Sequence, residues 1–342
     1  MLITLVDDSV PFNGESPDTE PLGGAEKAFA SLPAALVRKG HTVRVINRSL
    51  VPAAIDDVSW IPWEGRRPTI TEVLIAFRKP SLLQFIRTTR KTVFWLAQPA
   101  SFLAREPAAP AISRAEPSIV FLGKTHRSTY PGDPPGFSKT VPFGVRKPYL
   151  LAEDMTPGET PIAVVTSHPR QGLDRLLQLW ADRIHPKMPN AELHVYSASL
   201  VAAEQGREIP EAVRPIAEKA KAARGAGVRV FEPGSDPQMA EVYRKARVHL
   251  YPGSASDMHC STLSESQAVG LPCVARPLGA AEERIVDGET GFLAPDDEAF
   301  VNLTLPLLND LERFTHVSKE ARLRQRGRSW DKVAGEFEVL FR

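Results

Sequence analysis

Leu2–Val6 is a short apolar strand pattern, and the loop, helix and second strand after it fix the fold class. A loop rich in Pro, Gly and acids runs from Asp7 to Leu22, and Ala25–Lys39 then reads as a helix closed by Gly40. Gly accepts the positive φ of a helix C-cap at little cost. Thr42–Ile46 is the next strand. Two strands joined through a helix pair in parallel, because only a crossover returns the chain to the same sheet end. Further strands are predicted at Val73–Ala76, Thr92–Leu96 and Ile119–Leu122, with helical stretches at Leu82–Thr89 and Arg127–Tyr130. Lys147–Pro161 mixes Pro, Gly and acids and reads as a linker.

A second series begins at Ile162–Thr166, with further strands at Glu192–Tyr196, Val228–Phe231, Val248–Tyr251, Cys273–Arg276 and Gly291–Leu293. Helices are predicted at Leu173–Ala181, Pro210–Arg224, Pro237–Ala246, Thr262–Val269, Val301–Asp310 and Leu311–Arg326, and Trp330–Phe341 closes the chain as an amphipathic helix. The expectation is therefore α/β, with two Rossmann-like, doubly wound parallel-sheet domains at 1–147 and 148–328 and a C-terminal helix at 329–342. A length of 342 residues suits two cores. In such sheets ligands bind outside the carboxyl ends of the strands, so two domains facing across a cleft would hold a site between them.

Apolar residues make up 42% and charged residues 24%, an ordinary globular balance, and a net charge of +1 gives no argument for a nucleic-acid partner. Cys260 and Cys273 are too few for a disulfide scaffold and lack zinc-site spacing, which points to a reducing compartment. The N-terminus lacks the basic region of a signal peptide, and no apolar run approaches the ~18 residues of a membrane span. A cytoplasmic location is expected. Arg78, Lys79, Arg87, Arg90 and Lys91 surround Leu82, Leu83, Phe85 and Ile86. That pattern suits peripheral contact with the inner face of a membrane, or a helix packed on its own sheet. Oligomeric state is not legible.

The segment Tyr251–Ala275 combines a strand, a loop of small residues and a helix. Loop N–H groups and a helix start at Ser261 and Thr262 form an anion cradle. Glu265, in the first turn, can accept ribose hydroxyl hydrogen bonds, and Asp257 can orient a sugar hydroxyl. Simple capping would also explain Glu265 but not its spacing from Asp257.

Asp257-x7-Glu265 resembles the acid-x7-acid motif of retaining family 4 glycosyltransferases of the GT-B fold, the "glycosyl transferases group 1", whose first acid is usually Glu. Gly270-Leu-Pro272 is similar to that family's G-x-P turn, and Gly279–Leu293 resembles the closing segment of its donor site. Leu22-Gly23-Gly24-Ala25-Glu26 resembles the family's GGAE loop, which contacts the donor diphosphate or sugar. Lys139–Val145 resembles its exit segment, with Phe143 in place of the usual Asn. Thr166–Asp174 resembles the loop that carries its Arg and Lys, but here reads Ser167-His168-Pro-Arg170-Gln171. Thr92–Pro99 resembles the strand that often carries a His facing the sugar, but Ala97 stands there, with Gln98 beside it.

The resemblance implies a nucleotide-diphosphate-sugar donor (UDP-, GDP- or ADP-sugar) as substrate, no cofactor and no metal. It also implies a C-terminal helix at 329–342 that packs back on the first domain, where the pattern alone would also suit an ordinary surface helix. It implies a glycan, lipid-linked or small-molecule hydroxyl acceptor, in bacterial surface polysaccharide synthesis. Arg170, Asp257, Glu265 and His126 are the candidate catalytic residues, with His126 either standing in for the absent sugar-facing His or simply facing solvent. Gly23, Gly24, Ser167, His168, Gln171, Tyr196, Phe231, Met258, His259, Cys260, Ser261 and Thr262 are the candidate donor contacts. His168 would assist Arg170 if protonated. Asn13, Glu15 and Asp18 belong to a loop that either shapes the acceptor pocket or lies free on the surface. The alternatives are a nucleotide-sugar epimerase on the same fold and a non-catalytic nucleotide-sugar or glycan binder. Gln171 and Ala97 favour the binder.

Overall fold

The computed structural model describes every residue except Pro135. The chain divides into two compact units: Met1–Arg146 with Ser256–His259 and Arg328–Arg342, and Lys147–Ala255 with Cys260–Gly327.

The first unit is built on eight strands: β1 (Leu2–Val6), β2 (Thr42–Asn47), β3 (Ala53–Ile55), β4 (Val58–Pro62), β5 (Ile70–Phe77), β6 (Thr88–Trp95), β7 (Ser118–Phe121) and β8 (Ser138–Thr140). Their order is β3-β4-β2-β1-β5-β6-β7-β8, parallel except for the β3–β4 pair. Successive side chains of a strand point to opposite faces, and both faces here are covered. Ile3, Leu5, Val73, Ile75 and Phe77 enter one core, while Val6, Leu74 and Ala76 enter the other. The helix Gly24–Arg38 buries Ala25, Ala28, Phe29, Leu32, Ala35 and Leu36, the spacing of one helical face. The C-terminal helix Trp330–Glu338 lies in the same core through Trp330, Val333, Ala334 and Phe337. Ser329 caps it, and an Arg328 carbonyl accepts the Val145 N–H.

Three expectations change here. Leu82–Thr89 is a single 3₁₀ turn at Pro80–Gln84 followed by the start of β6. Leu82, Leu83 and Ile86 are buried under the sheet, so this segment offers no amphipathic helix to a bilayer. The loop at Asn13 is ordered, because the Asn13 Oδ1 accepts the Glu15 and Ser16 N–H groups and Asp18 pairs with Arg146 at 2.7 Å.

The second unit holds β9 (Ile162–Val165), β10 (Glu192–Tyr196), β11 (Val228–Phe231), β12 (Val248–Tyr251), β13 (Cys273–Ala275) and β14 (Gly291–Leu293). All are parallel, in the order β11-β10-β9-β12-β13-β14, so the sequence order reverses between β9 and β12. Lys147–Pro161 is part of this unit and not an unattached linker. Tyr149 is fully buried, the Thr156 N–H donates to Arg244, and Asp154 pairs with Arg322. Among the described residues no helix is long and apolar enough to cross a membrane.

Candidate functional site

The reversal between β9 and β12 is where a doubly wound sheet opens a crevice at its carboxyl edge. The loop after β9 runs through Thr166–Gly172 and the loop after β12 begins at Pro252. They touch: a Cβ at Gly172 would lie 3.0 Å from the Pro252 Cβ, and Gly172 has φ +87°. Only glycine meets both demands.

Within the first loop Ser167 is buried, and its Oγ has no hydrogen-bond partner among the described residues. An unpaired buried hydroxyl is costly unless a ligand completes it. Arg170 is exposed and has no carboxylate partner among the described residues. Its N–H donates to the His168 Nδ1 at 3.2 Å. Burial, then the Arg170 charge, lowers the His168 pKa, so His168 is neutral at pH 7 and cannot add a second cation. Gln171 turns back into its own loop, where its Oε1 accepts the His168 N–H at 3.2 Å. The loop therefore presents a single fixed positive charge at its tip.

Across the crevice the helix Ser261–Val269 starts from Cys260, whose φ is +44°. That left-handed conformation at a non-glycine residue is strained and marks a specified turn. Ser261 and Thr262 occupy the first turn, and Glu265 is 7% exposed. Burial first, then the Glu265 carboxylate, pushes the phenols of Tyr149 and Tyr243 well above their ordinary pKa. Asp236 adds to both effects and accepts the Tyr149 hydroxyl hydrogen bond at 2.7 Å. Glu265 thus shares its buried surroundings with two tyrosines.

Behind the helix runs a one-way hydrogen-bond chain. The Ser266 Oγ donates to Leu263 O, so His249 must donate from Nδ1 to Ser266, 2.9 Å away. The His249 Nε2 then accepts from Thr166 Oγ1, which faces Tyr243 Oη at 3.3 Å. Nothing in the sequence order marks this chain, because its members come from the loop after β9, from β12 and from the helices Asp236–Lys245 and Ser261–Val269. Further along the same edge, Tyr196 and Phe231 stack at 5.4 Å with 24° between ring planes, and Phe231 keeps 37% of its surface exposed. Burial raises the Tyr196 hydroxyl to about 12.

The segment Ser256–His259 belongs to the first unit. Asp257 and Met258 are buried, and the Asp257 Oδ1 accepts the His259 N–H at 3.2 Å. The His259 ring stacks on Phe143 at 5.4 Å. The two acids of the motif therefore sit in different units, which their spacing does not reveal.

In the first unit, Gly23 and Gly24 open the Gly24–Arg38 helix, as their type suggests. Glu26 in its first turn pairs with Arg78 at 2.6 Å, and Arg78 also reaches Asp7 at 3.2 Å. Burial alone would lower the Arg78 pKa, but Asp7 and Glu26 outweigh it and hold it raised. Asp7 follows β1 and Arg78 follows β5, so this triad fills that sheet's own reversal point. Sequence reasoning missed it; an Asp pair after a first strand was the available signal.

His126 is a correction. It is fully buried, its Nδ1 accepts the Leu122 N–H at 3.0 Å, and its Nε2 donates to the Gln98 carbonyl at 2.8 Å. With both nitrogens committed to backbone, the imidazole pins the loop after β7 and does not face a substrate. Ala97 is buried, and the Gln98 side chain donates to the Arg78 carbonyl. No histidine replaces the sugar-facing one in this strand.

The pair of parallel sheets, the second in full dinucleotide-binding order, defines the GT-B class of two Rossmann-like domains. Residues 161–310, under half of the chain, match the family described as "Glycosyl transferases group 1". Over 139 residues, 40% of the chain, it is 27% identical to a "D-inositol 3-phosphate glycosyltransferase" of Corynebacterium urealyticum, of which the match spans only 32%. Among solved structures it is similar to sucrose-phosphate synthase of Thermosynechococcus elongatus, at TM-score 0.76 and 16% identity, covering 99% of this chain and 98% of that one. WaaG, a glycosyltransferase involved in lipopolysaccharide biosynthesis, aligns at TM-score 0.71 and 15% identity over 99% of both chains. Anabaena HepE, in complex with UDP and glucose, aligns at 0.71 and 13% over 99% of this chain and 98% of that one.

Proposed function

We propose that this protein transfers a sugar, with retention of configuration and without a metal, from a nucleoside-diphosphate sugar to an acceptor hydroxyl. The observation that carries the reading is the buried Glu265 carboxylate in the first turns of a helix that begins beside the β9–β12 crevice. A buried acid on that rim suits the two hydroxyls of a ribose. Arg170, on the neighbouring loop, suits the diphosphate, with the buried Ser167 hydroxyl beside it. Tyr196 and Phe231 provide a flat apolar edge for the nucleobase. UDP-glucose is the first donor to try, because HepE holds UDP and UDP-glucose.

In the reaction the bond from the anomeric carbon to the β-phosphate oxygen breaks, and a bond to the acceptor oxygen forms on the same face. The acceptor proton passes to the departing phosphate oxygen. Protein groups then need only to position the partners and stabilise the charge that grows on the diphosphate. Gly23 and Gly24 at their helix start, and Asp257 with Met258 and His259, are assigned to the sugar. A glycan or lipid-linked acceptor in surface polysaccharide synthesis, at the cytoplasmic face of the membrane, is part of the proposal.

The second reading, a binder without turnover, is favoured by Gln171, whose side chain is tied into its own loop. Incubating the protein with UDP-, GDP- and ADP-sugars separates the two. The proposal expects nucleoside diphosphate release with at least one donor, an acceptor product of unchanged anomeric configuration by NMR, and loss of nucleotide binding in Glu265→Ala. Binding without release under any donor and acceptor supports the binder. No nucleotide binding at all removes both.

A further inference from the structure

In the first unit a groove of about 470 Å³ opens at the amino ends of β1 and β5, lined by Leu2, Arg44, Ile61, Arg66, Arg67 and Ile70 among others. Phosphate chemistry in a doubly wound sheet belongs to the carboxyl edge. Along β5 the two edges are separated by about 23 Å of strand. The Asp7–Glu26–Arg78 triad marks that far edge.

Three guanidinium groups line the groove, and none has a carboxylate partner among the described residues. Several arginines outside the groove are paired, Arg78 with Asp7 and Glu26, Arg146 with Asp18, Arg276 with Asp297 and Arg328 with Glu336, whereas these three, like Arg170, are not. Arg44 is half-buried and bonded only to neutral groups, the Thr4 hydroxyl at 2.8 Å and the Ile70 carbonyl. Burial without a counter-charge lowers its pKa. Arg67 is held in place with its guanidinium 4.7 Å from the Phe85 ring centroid and 5.5 Å from that of Trp63. Cation–π contact of this kind orients an arginine without neutralising it.

The turn that carries the pair is itself specified. The Gly65 N–H donates to Pro62 O at 2.8 Å, and a Cβ on Gly65 would fall 2.9 Å from that carbonyl. Glu64 is exposed and is the sole acid between Val58 and Ile70. A glycine-only turn thus delivers two arginines to the rim of a groove whose floor already holds a third.

We infer that this groove binds a phosphate group of an ester or diphosphate, at a site separate from the carboxyl-edge crevice. Unpaired guanidinium forks at a concave surface match phosphate oxygens in charge and in bidentate geometry. The exposed Ile70, with Leu2 and Ile61, gives the groove an apolar wall suited to an ester that carries an apolar group.

The test uses the full chain and sodium pyrophosphate as the calorimetric probe, with Arg66→Ala/Arg67→Ala and Arg170→Ala variants. The pair of substitutions is expected to weaken pyrophosphate binding at least about tenfold, while Arg170→Ala leaves that binding event in place. Both pair positions are exposed, so circular dichroism should be unchanged. Cosedimentation with phosphatidylcholine vesicles, with and without phosphatidylglycerol, identifies the source. Sedimentation that needs the anionic lipid and both arginines assigns the phosphate to a head group. Calorimetric binding without sedimentation assigns it to a soluble ester. The inference is overturned if the wild type binds neither probe, or if Arg170→Ala removes the binding and the arginine pair does not matter.

Discussion

Thr166 Oγ1 and His249 Nε2 lie 3.2 Å apart in the interior of the second unit, and the proton between them belongs to the threonine. The far side of the ring dictates this. Ser266 spends its proton on Leu263 O, so the imidazole must supply the other hydrogen bond from Nδ1. The ring is therefore neutral, and burial lowers its pKa to about 3.

The consequence is a pH dependence of stability. In the unfolded chain His249 titrates near 6.5, so below that pH the unfolded state binds a proton that the folded state refuses. The stabilisation is complete above about pH 6.5 and is lost as pH falls toward 3, by at most about 5 kcal/mol. His249→Gln should be less stable than wild type at pH 7, and the gap should narrow as pH falls. Urea midpoints at pH 7, 5 and 4 measure it. Parallel pH profiles for the two proteins would refute the assignment.

Arg170 should act on the reaction more than on binding. It is the one fixed cation at the tip of the Thr166–Gly172 loop, since His168 is held neutral and Gln171 is tied back. If charge builds on the departing diphosphate, removing the guanidinium costs most in the transition state. Arg170→Ala should lower kcat by about 10²–10³-fold, with a far smaller change in donor affinity. Arg170→Lys should recover part of it. Equal losses in affinity and kcat/KM, with kcat untouched, would mean that Arg170 only binds the donor.

The sheets and most helices were legible because their apolar periodicities are clear: residues 25, 28, 29, 32, 35 and 36 trace a helix face without ambiguity. Leu82–Thr89 failed because a cluster of buried side chains under a sheet edge and an amphipathic helix have similar composition. The β3–β4 hairpin was missed because its strands are short and β4 ends in proline. At the candidate site, the loops and Glu265 were readable as a local pattern. The His249 chain and the Arg78 triad were not, since each joins residues from separate crossovers. His126 misled because an imidazole at a strand end looks the same in sequence whether it faces solvent or caps two backbone groups.

His126 gives a clean separation of structural from catalytic roles. Its two backbone hydrogen bonds join the loop after β7 to the Gln98 carbonyl after β6. His126→Ala removes the ring that accepts the Leu122 N–H and donates to the Gln98 carbonyl, and opens a cavity beside Phe121, whose ring packs edge-on at 5.5 Å. A loss of about 2–4 kcal/mol is expected. Thermal melting should fall by several degrees while kcat per folded molecule changes less than about threefold. A folded His126→Ala protein with kcat reduced a hundredfold would restore the catalytic reading.

Arg78 tests whether the first unit's carboxyl edge is held by charge. Its guanidinium is the shared partner of Asp7, whose side chain is 2% exposed, and Glu26, 16% exposed. Removing it leaves a buried and a nearly buried carboxylate facing each other with no cation, which is far costlier than losing a surface pair. Arg78→Met, which keeps much of the side-chain volume, should destabilise the protein by about 3–5 kcal/mol. Adding Asp7→Asn and Glu26→Gln removes the orphaned charges, so the triple variant should regain much of that loss. Arg78 also has φ +65°, so Arg78→Gly relieves backbone strain while deleting the same charge. If charge dominates, Arg78→Gly is as unstable as Arg78→Met; if the backbone dominates, it is the more stable of the two. Urea denaturation of wild type and the three variants decides, and a triple variant no more stable than Arg78→Met would show that packing around the guanidinium, and not its charge, holds Glu26 and the helix start in place.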